Sequence, residues 1–292
     1  MSFLLLFVII LLYSLQTLFC TLYTKNYTGK DALASPVFSV WQGLAIALIT
    51  LAFLGFRFAP QPLTLLFGAL NALALFGYNT SLIKAGATGS YAFMCIVYLF
   101  GGLSVPLLFN AFVLRNPVTP VQWVAFGGML AAFVLMNIED VKLGGTKPVY
   151  YVFCAILFVC NGLYATFLKM QETYVGDDSQ SRQMVILTFG LMAVVAFAAL
   201  AAKEKRGVFR ALRVNKEALP GLAGCVVVAA AAVNLLVYLL PLIDLAVLYP
   251  VEDGGVLVVS TLFSVIFFKE KLTVLKVIGI AAALAGIVAL SL

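Results

Sequence analysis

Stretches of about twenty apolar residues recur along this chain, each long enough to cross roughly 30 Å of hydrocarbon at about 1.5 Å per residue. Ten are present, at 3–23, 35–55, 63–83, 88–114, 120–138, 149–170, 183–202, 218–240, 245–268 and 274–291. Lipid offers a backbone no hydrogen-bond partner, so runs of this length must close their own bonds as helices, and the alternating pattern of a barrel strand is absent. The expected fold is all-α, integral to the membrane, with ten transmembrane helices. Composition excludes a soluble fold: 64% of the 292 residues are apolar, 10% are charged and mean hydropathy is +1.11. A soluble domain carries about a quarter of its residues charged.

The formal charge of +6 sits mostly between the apolar runs, flanking membrane segments, so nucleic acid is not an expected partner. Histidine is absent, which removes imidazole metal sites, Ser/His triads and histidine proton relays. The five cysteines, Cys20, Cys95, Cys154, Cys160 and Cys225, all lie inside apolar runs and form no CxxC pair, so they read as packing residues rather than a disulfide framework. No metal, no cofactor and no enzymatic activity are expected. The first run lacks a basic flank, the first lysine being Lys25, and no A-x-A site follows it, so it reads as a retained helix.

The two halves of the chain resemble each other. Shifting 112–135 by about 154 residues lays it, within one residue, on 267–290 and matches Thr119 to Thr273. The same shift, within one residue, lays Gly101-Gly102 on Gly254-Gly255 and Asn79 on Asn234. Five helices per copy is an odd number, so the second copy must cross in the opposite sense. The expectation is one membrane domain built of two inverted five-helix repeats, 1–142 and 143–292.

Ten helices, together with Glu270-Lys271-Leu272-Thr273 and the glycines Gly279 and Gly286 in the last run, resemble the drug/metabolite transporter superfamily, in its EamA-like branch. There each half ends in a Glu-(x)-Leu-Thr turn and a glycine-containing helix. The first half departs from that pattern, since Arg115-Asn116-Pro117-Val118-Thr119 lacks the glutamate. The resemblance implies a small-metabolite cargo, such as an amino acid, an amine or a drug-like solute, exported in exchange for protons.

With ten helices both termini share a side, and the basic residues of alternate links fix which. Arg57, Arg115, Lys169 and Arg182 would lie on the side of the termini. The other fourteen, six of them in the link 203–217, lie opposite. The positive-inside rule makes that opposite side, with 203–217, cytoplasmic in the cell (inner) membrane.

Glu252 and Asp253 lie inside the ninth apolar run, where a carboxylate costs a few kcal/mol unless it is neutralised or faces a polar cavity. Such a group meets a cationic substrate or takes up a proton; the bland alternative is a fixed salt bridge. Pro250 and Gly254-Gly255 flank the pair and are expected to interrupt or bend the helix, as Gly101-Gly102 would in the first half. Tyr98 stands near the place of Glu252 in that half, and Tyr249 precedes Pro250. Gln16, Gln42, Asn71, Asn79, Asn161 and Asn234 are amides within apolar runs, with Tyr164 on the face of Asn161, and such amides either bridge helices or line a cavity. Lys84 ends the third run and is expected to snorkel, and Asp244 is a possible N-cap. The small-residue stripe Gly127, Gly128, Ala131 and Ala132 reads as a packing or dimer surface.

The leading expectation is a secondary transporter working by alternating access, with a small-molecule substrate, protons and the lipid bilayer as partners, as a monomer or a homodimer. No nucleotide-binding motif offers another driving force. The alternatives are uptake or exchange of a sugar or other uncharged solute, a membrane-embedded enzyme, a channel, or a scaffold for other membrane proteins.

Overall fold

A computed structural model of the chain describes residues 2–113, 119–121, 123–125, 127–128, 131, 148–239, 242, 245–269, 271 and 273–290. Nine long helices are present among them: α1 Ser2–Asn26, α2 Asp31–Phe53, α3 Pro62–Thr88, α4 Tyr91–Phe112, α5 Pro148–Tyr174, α6 Asp178–Glu204, α7 Leu219–Leu239, α8 Leu245–Phe268 and α9 Val274–Leu290. A one-turn helix, Val208–Ala211, lies in the link before α7. There is no strand among the described residues. Seven of the described helices are long and apolar enough to cross a membrane, and this is a multi-pass membrane protein in class. Most of the run 120–138 lies outside the described residues, as do Arg115-Asn116-Pro117, Gly144-Gly145, Asp244, Glu270 and Leu272.

Helix starts follow local chemistry. Pro62 opens α3, where its missing N–H costs nothing. Ser90 caps α4 by accepting from Phe93 N at 3.3 Å, and Asp177 caps α6 by accepting from Ser179 N at 2.8 Å. The Ser179 side chain first, and the Ser179 and Gln180 backbone N–H groups after it, hold the exposed Asp177 carboxyl below its ordinary range. In the same way the Asn215 side chain lowers exposed Glu217. Several helices run past their apolar stretches, α5 to Tyr174 and α6 back to Asp178, because a helix continues into the headgroup layer once hydrocarbon ends.

Packing ties the helices into one body. The helix α2 lies on α6, α3 on α5 and α6, α4 on α5 and α8, and α1 on α7 and α8, while α2 also meets α7. Small residues set the closest approach: a Cβ on Gly162 of α5 would come within 2.6 Å of the Gly101 carbonyl of α4. The main apolar core gathers side chains from α1 to α8, with Tyr23, Phe38, Met94, Leu157 and Met192 all buried, and a smaller cluster joins Leu33, Val37, Leu200 and Val208.

Two sets of polar links close the ends. On one face Gln180 and Gln183 at the start of α6 clasp the link before α3: Gln61 N donates to Gln180 Oε1 at 2.9 Å and Ala59 N to Gln183 Oε1 at 3.3 Å. The two side-chain amides return the bonds to the carbonyls of Ala59 and Arg57, each at 3.3 Å. On the other face Asn215 donates to Asn26 O at 2.9 Å and accepts from Thr28 N at 3.3 Å, and Lys30 pairs with Glu204 at 2.6 Å.

Candidate functional site

Glu252 sits seven residues after the start of α8 and sixteen before its end, roughly 10 Å and 24 Å along the axis. The side chain is buried, at 8% exposure, and its Oε2 has no hydrogen-bond partner. Among the described residues the one ion pair is Lys30–Glu204, so no described Lys or Arg neutralises Glu252 or Asp253. The fixed salt bridge that would make these carboxylates structural is missing there. A buried carboxylate beside a half-buried one, without a counter-charge, is a costly arrangement in an apolar interior.

The two carboxylates address different neighbours. Glu252 lies within electrostatic reach of Tyr164 on α5, and Asp253 of Tyr98 on α4. Tyr98 is held from three other helices. Its hydroxyl is 3.4 Å from Thr17 Oγ1 of α1, its ring meets the Tyr78 ring of α3 edge-on at 6.1 Å, and its carbonyl accepts from Asn161 Nδ2 of α5 at 2.6 Å. Gln16, beside Thr17, buries an Oε1 with no partner, and Ser104 of α4 buries an unpartnered hydroxyl.

Glu252 and Tyr164, and Asp253 and Tyr98, thus lie within electrostatic reach of each other, with Asn161 bonded to the Tyr98 carbonyl and Gln16 next in sequence to Thr17. It does not bring Asn79 and Asn234 to that place. Asn79 Nδ2 donates to Gln42 Oε1 of α2 at 2.7 Å and also lies 3.4 Å from Ser39 Oγ and 3.3 Å from Met192 Sδ of α6. Asn234 Nδ2 donates to Thr50 Oγ1 of α2 at 3.0 Å and to the Ala230 carbonyl at 2.9 Å. Both amides are helix bridges. The Tyr249 and Pro250 side chains lie outside the described residues.

The expected interruption at Gly254-Gly255 does not occur: α8 is one helix from Leu245 to Phe268, and α4 runs unbroken through Gly101-Gly102. The glycines serve contact instead. A Cβ on Gly255 would stand 2.5 Å from Ile10 Cδ1 of α1, one on Gly254 3.5 Å from Leu284 of α9, and one on Gly102 2.9 Å from Asn161 Nδ2. Glycine in a membrane helix keeps its backbone bonds because no water competes for them, so a sequence signal for a break becomes a seat for a neighbour. Lys84 likewise turns from the expected snorkelling to the Phe153 ring, 4.9 Å from its centroid.

Sequence reasoning passed over Tyr78 and Thr17, since neither differs by type from the packing residues around it. It also did not separate Asn71 from the other amides, although both polar atoms of Asn71 are buried without a partner.

Neither a protein-family model nor a curated protein matches the sequence. Among solved structures the chain is similar to a crystal structure of a protein 17% identical to it, with a TM-score of 0.61 over 100% of this chain and 98% of that one. At that identity the likeness is one of fold.

Proposed function

We propose that the chain is a secondary transporter of the drug/metabolite type, in which Glu252 binds a small cationic solute and a proton in turn. The observation that carries this reading is the buried Glu252 oxygen without a partner, beside Asp253 and without a described basic neighbour. A carboxylate that exchanges ligands must be left unsatisfied between them. The tyrosines Tyr98 and Tyr164 offer ring faces and hydroxyls to an amine. An organic cation and a proton then compete for one charge, so a proton gradient drives the solute the other way.

Two inverted halves, 1–142 and 143–292, give such a site its two exits. The packing supports this division. Exchanging α1 with α5, α2 with α6, α3 with α7 and α4 with α8 turns the contacts of α1 on α7 and α8 into those of α5 on α3 and α4. The same exchange maps α2–α7 onto α6–α3 and leaves α2–α6 on the axis. A ten-helix count follows once 120–138 is taken as the partner of α9. The protein would sit in the cell membrane with its fourteen-cation face, including 203–217, inward. The cargo is a small amine, amino acid or drug-like solute, moved outward.

The test is Glu252→Gln in purified, reconstituted protein. Expected is loss of proton-driven solute flux in liposomes with expression and folding retained; flux that persists with its pH dependence intact would refute the role. A thermal-shift screen against amines, amino acids and sugars at two pH values identifies the cargo, because a ligand stabilises the state it binds. A sugar hit indifferent to pH would favour an uncharged solute.

A further inference from the structure

The link between α6 and α7 carries a surface the transport reading does not use. It holds Lys203, Lys205, Arg206, Arg210, Arg213 and Lys216 within fourteen residues. A free basic loop would hang in water. This one is fastened along the flank of the helices. Lys203 Nζ donates to the Ala32 carbonyl at 2.8 Å, Val208 is buried with Leu33, Val37 and Leu200, and Asn215 ties the far end to Asn26 and Thr28.

The depth of the segment is set by Trp41, whose Nε1 donates to the Leu212 carbonyl at 3.0 Å. Trp41 lies ten residues into α2, about 15 Å from its start. The link therefore descends beside α2 rather than resting above its first turn. Phe209 is 82% exposed, and its ring centroid lies 6.3 Å from that of Phe197, an exposed ring on the membrane helix α6. The two rings thus form one exposed aromatic patch on the flank of α6. Lys205, Arg210, Arg213 and Lys216 lie in the same short segment, and no ion pair engages them among the described residues. Cations beside an apolar side chain at the membrane edge are the pattern of a surface that sits in the headgroup layer.

We infer that the 205–216 segment is a docking surface for anionic lipid headgroups, with Phe209 inserted among the acyl chains and Arg210 and Arg213 on the phosphates. Charge complementarity selects this occupant: the charged residues of 205–216 are all cations, the flanking Glu204 is paired with Lys30 and Glu217 is bonded by Asn215, and Trp41 and Phe209 give the segment the aromatic character of an interface. The inference rests on the membrane class of the protein and is independent of what it carries.

Trp41 is a built-in reporter, since the only other tryptophan, Trp123, can be removed as Trp123→Phe. That protein is reconstituted in dioleoyl phosphatidylcholine vesicles containing either brominated phosphatidylglycerol or brominated phosphatidylcholine at equal mole fraction. The expected result is preferential quenching of Trp41 by the brominated anionic lipid, corresponding to a local enrichment of about fivefold, what one cation contributes at an anionic surface. High salt, and Arg210→Gln with Arg213→Gln, should each remove the excess. Both side chains are exposed, so the double variant keeps the packing. Equal quenching by the two lipids overturns the proposal, as does an excess that survives in the double variant. Equal quenching together with binding of soluble polyglutamate would assign the surface to an acidic protein instead.

Discussion

Asn79 and Glu252 are both polar residues buried in apolar helices, and they have been treated in opposite ways by the fold. The Asn79 amide faces partners on α2 and α6, while Glu252 keeps an oxygen that nothing fills. In hydrocarbon a satisfied amide is glue, holding helices at fixed distances. An acid with an unpartnered oxygen contributes no such bridge, and it is this difference that the proposed transport role for Glu252 rests on. Depth in the membrane is thus a weaker guide to function than the state of the hydrogen bonds at that depth.

This contrast can be broken by experiment. The largest effect is expected at Glu252→Gln, where transport should fall by about a hundredfold, the loss of one strong charged contact, while the melting temperature stays level or rises. A drop in melting temperature with normal flux would make Glu252 structural and end the comparison. Asn79→Ala should do the reverse, lowering stability by about 1–2 kcal/mol in thermal or denaturant unfolding, since it leaves Gln42 without its donor, and leaving flux per folded molecule unchanged.

Smaller effects sharpen the picture. Asp177→Ala removes the α6 cap and should cost about 1 kcal/mol. Because the folded carboxyl titrates below its ordinary value, its contribution is complete above the unfolded pKa and is lost as pH falls through the folded one. The variant and the parent should therefore converge in stability in acid, as differential scanning at stepped pH would measure. Smallest is Tyr98→Phe, which removes the hydroxyl shared with Thr17 and should weaken substrate affinity about threefold, read by titration, with little change in stability.

How much of this the sequence discloses depends on what each feature needs. The membrane spans are legible because length and hydropathy are local properties, and Glu252 is legible because a carboxylate in an apolar run is improbable wherever it points. The difference between Asn79 and Asn71 is not legible. Both are asparagines in one helix, and only the neighbours brought by α2 and α6 tell a bridge from an orphan. The glycines of α8 misled for a related reason: as punctuation they read as a break, but the approach of Ile10 gives them another purpose that no local pattern contains. Tyr98 is legible as an aromatic opposite Glu252, yet its clamp from Thr17, Tyr78 and Asn161 is assembled by three separate helices.

The clasp of Gln180 and Gln183 on the link before α3 carries its own consequence. It joins a helix of the second half to a loop of the first through four hydrogen bonds grouped in one place. Opening the molecule on that face would sever all four together, and incoming water would take over each of the donors and acceptors. Opening on the opposite face leaves them whole. In the transport cycle proposed above, two glutamines would thus bias which way the protein faces when nothing is bound, much as a magnetic catch decides which of two doors swings first.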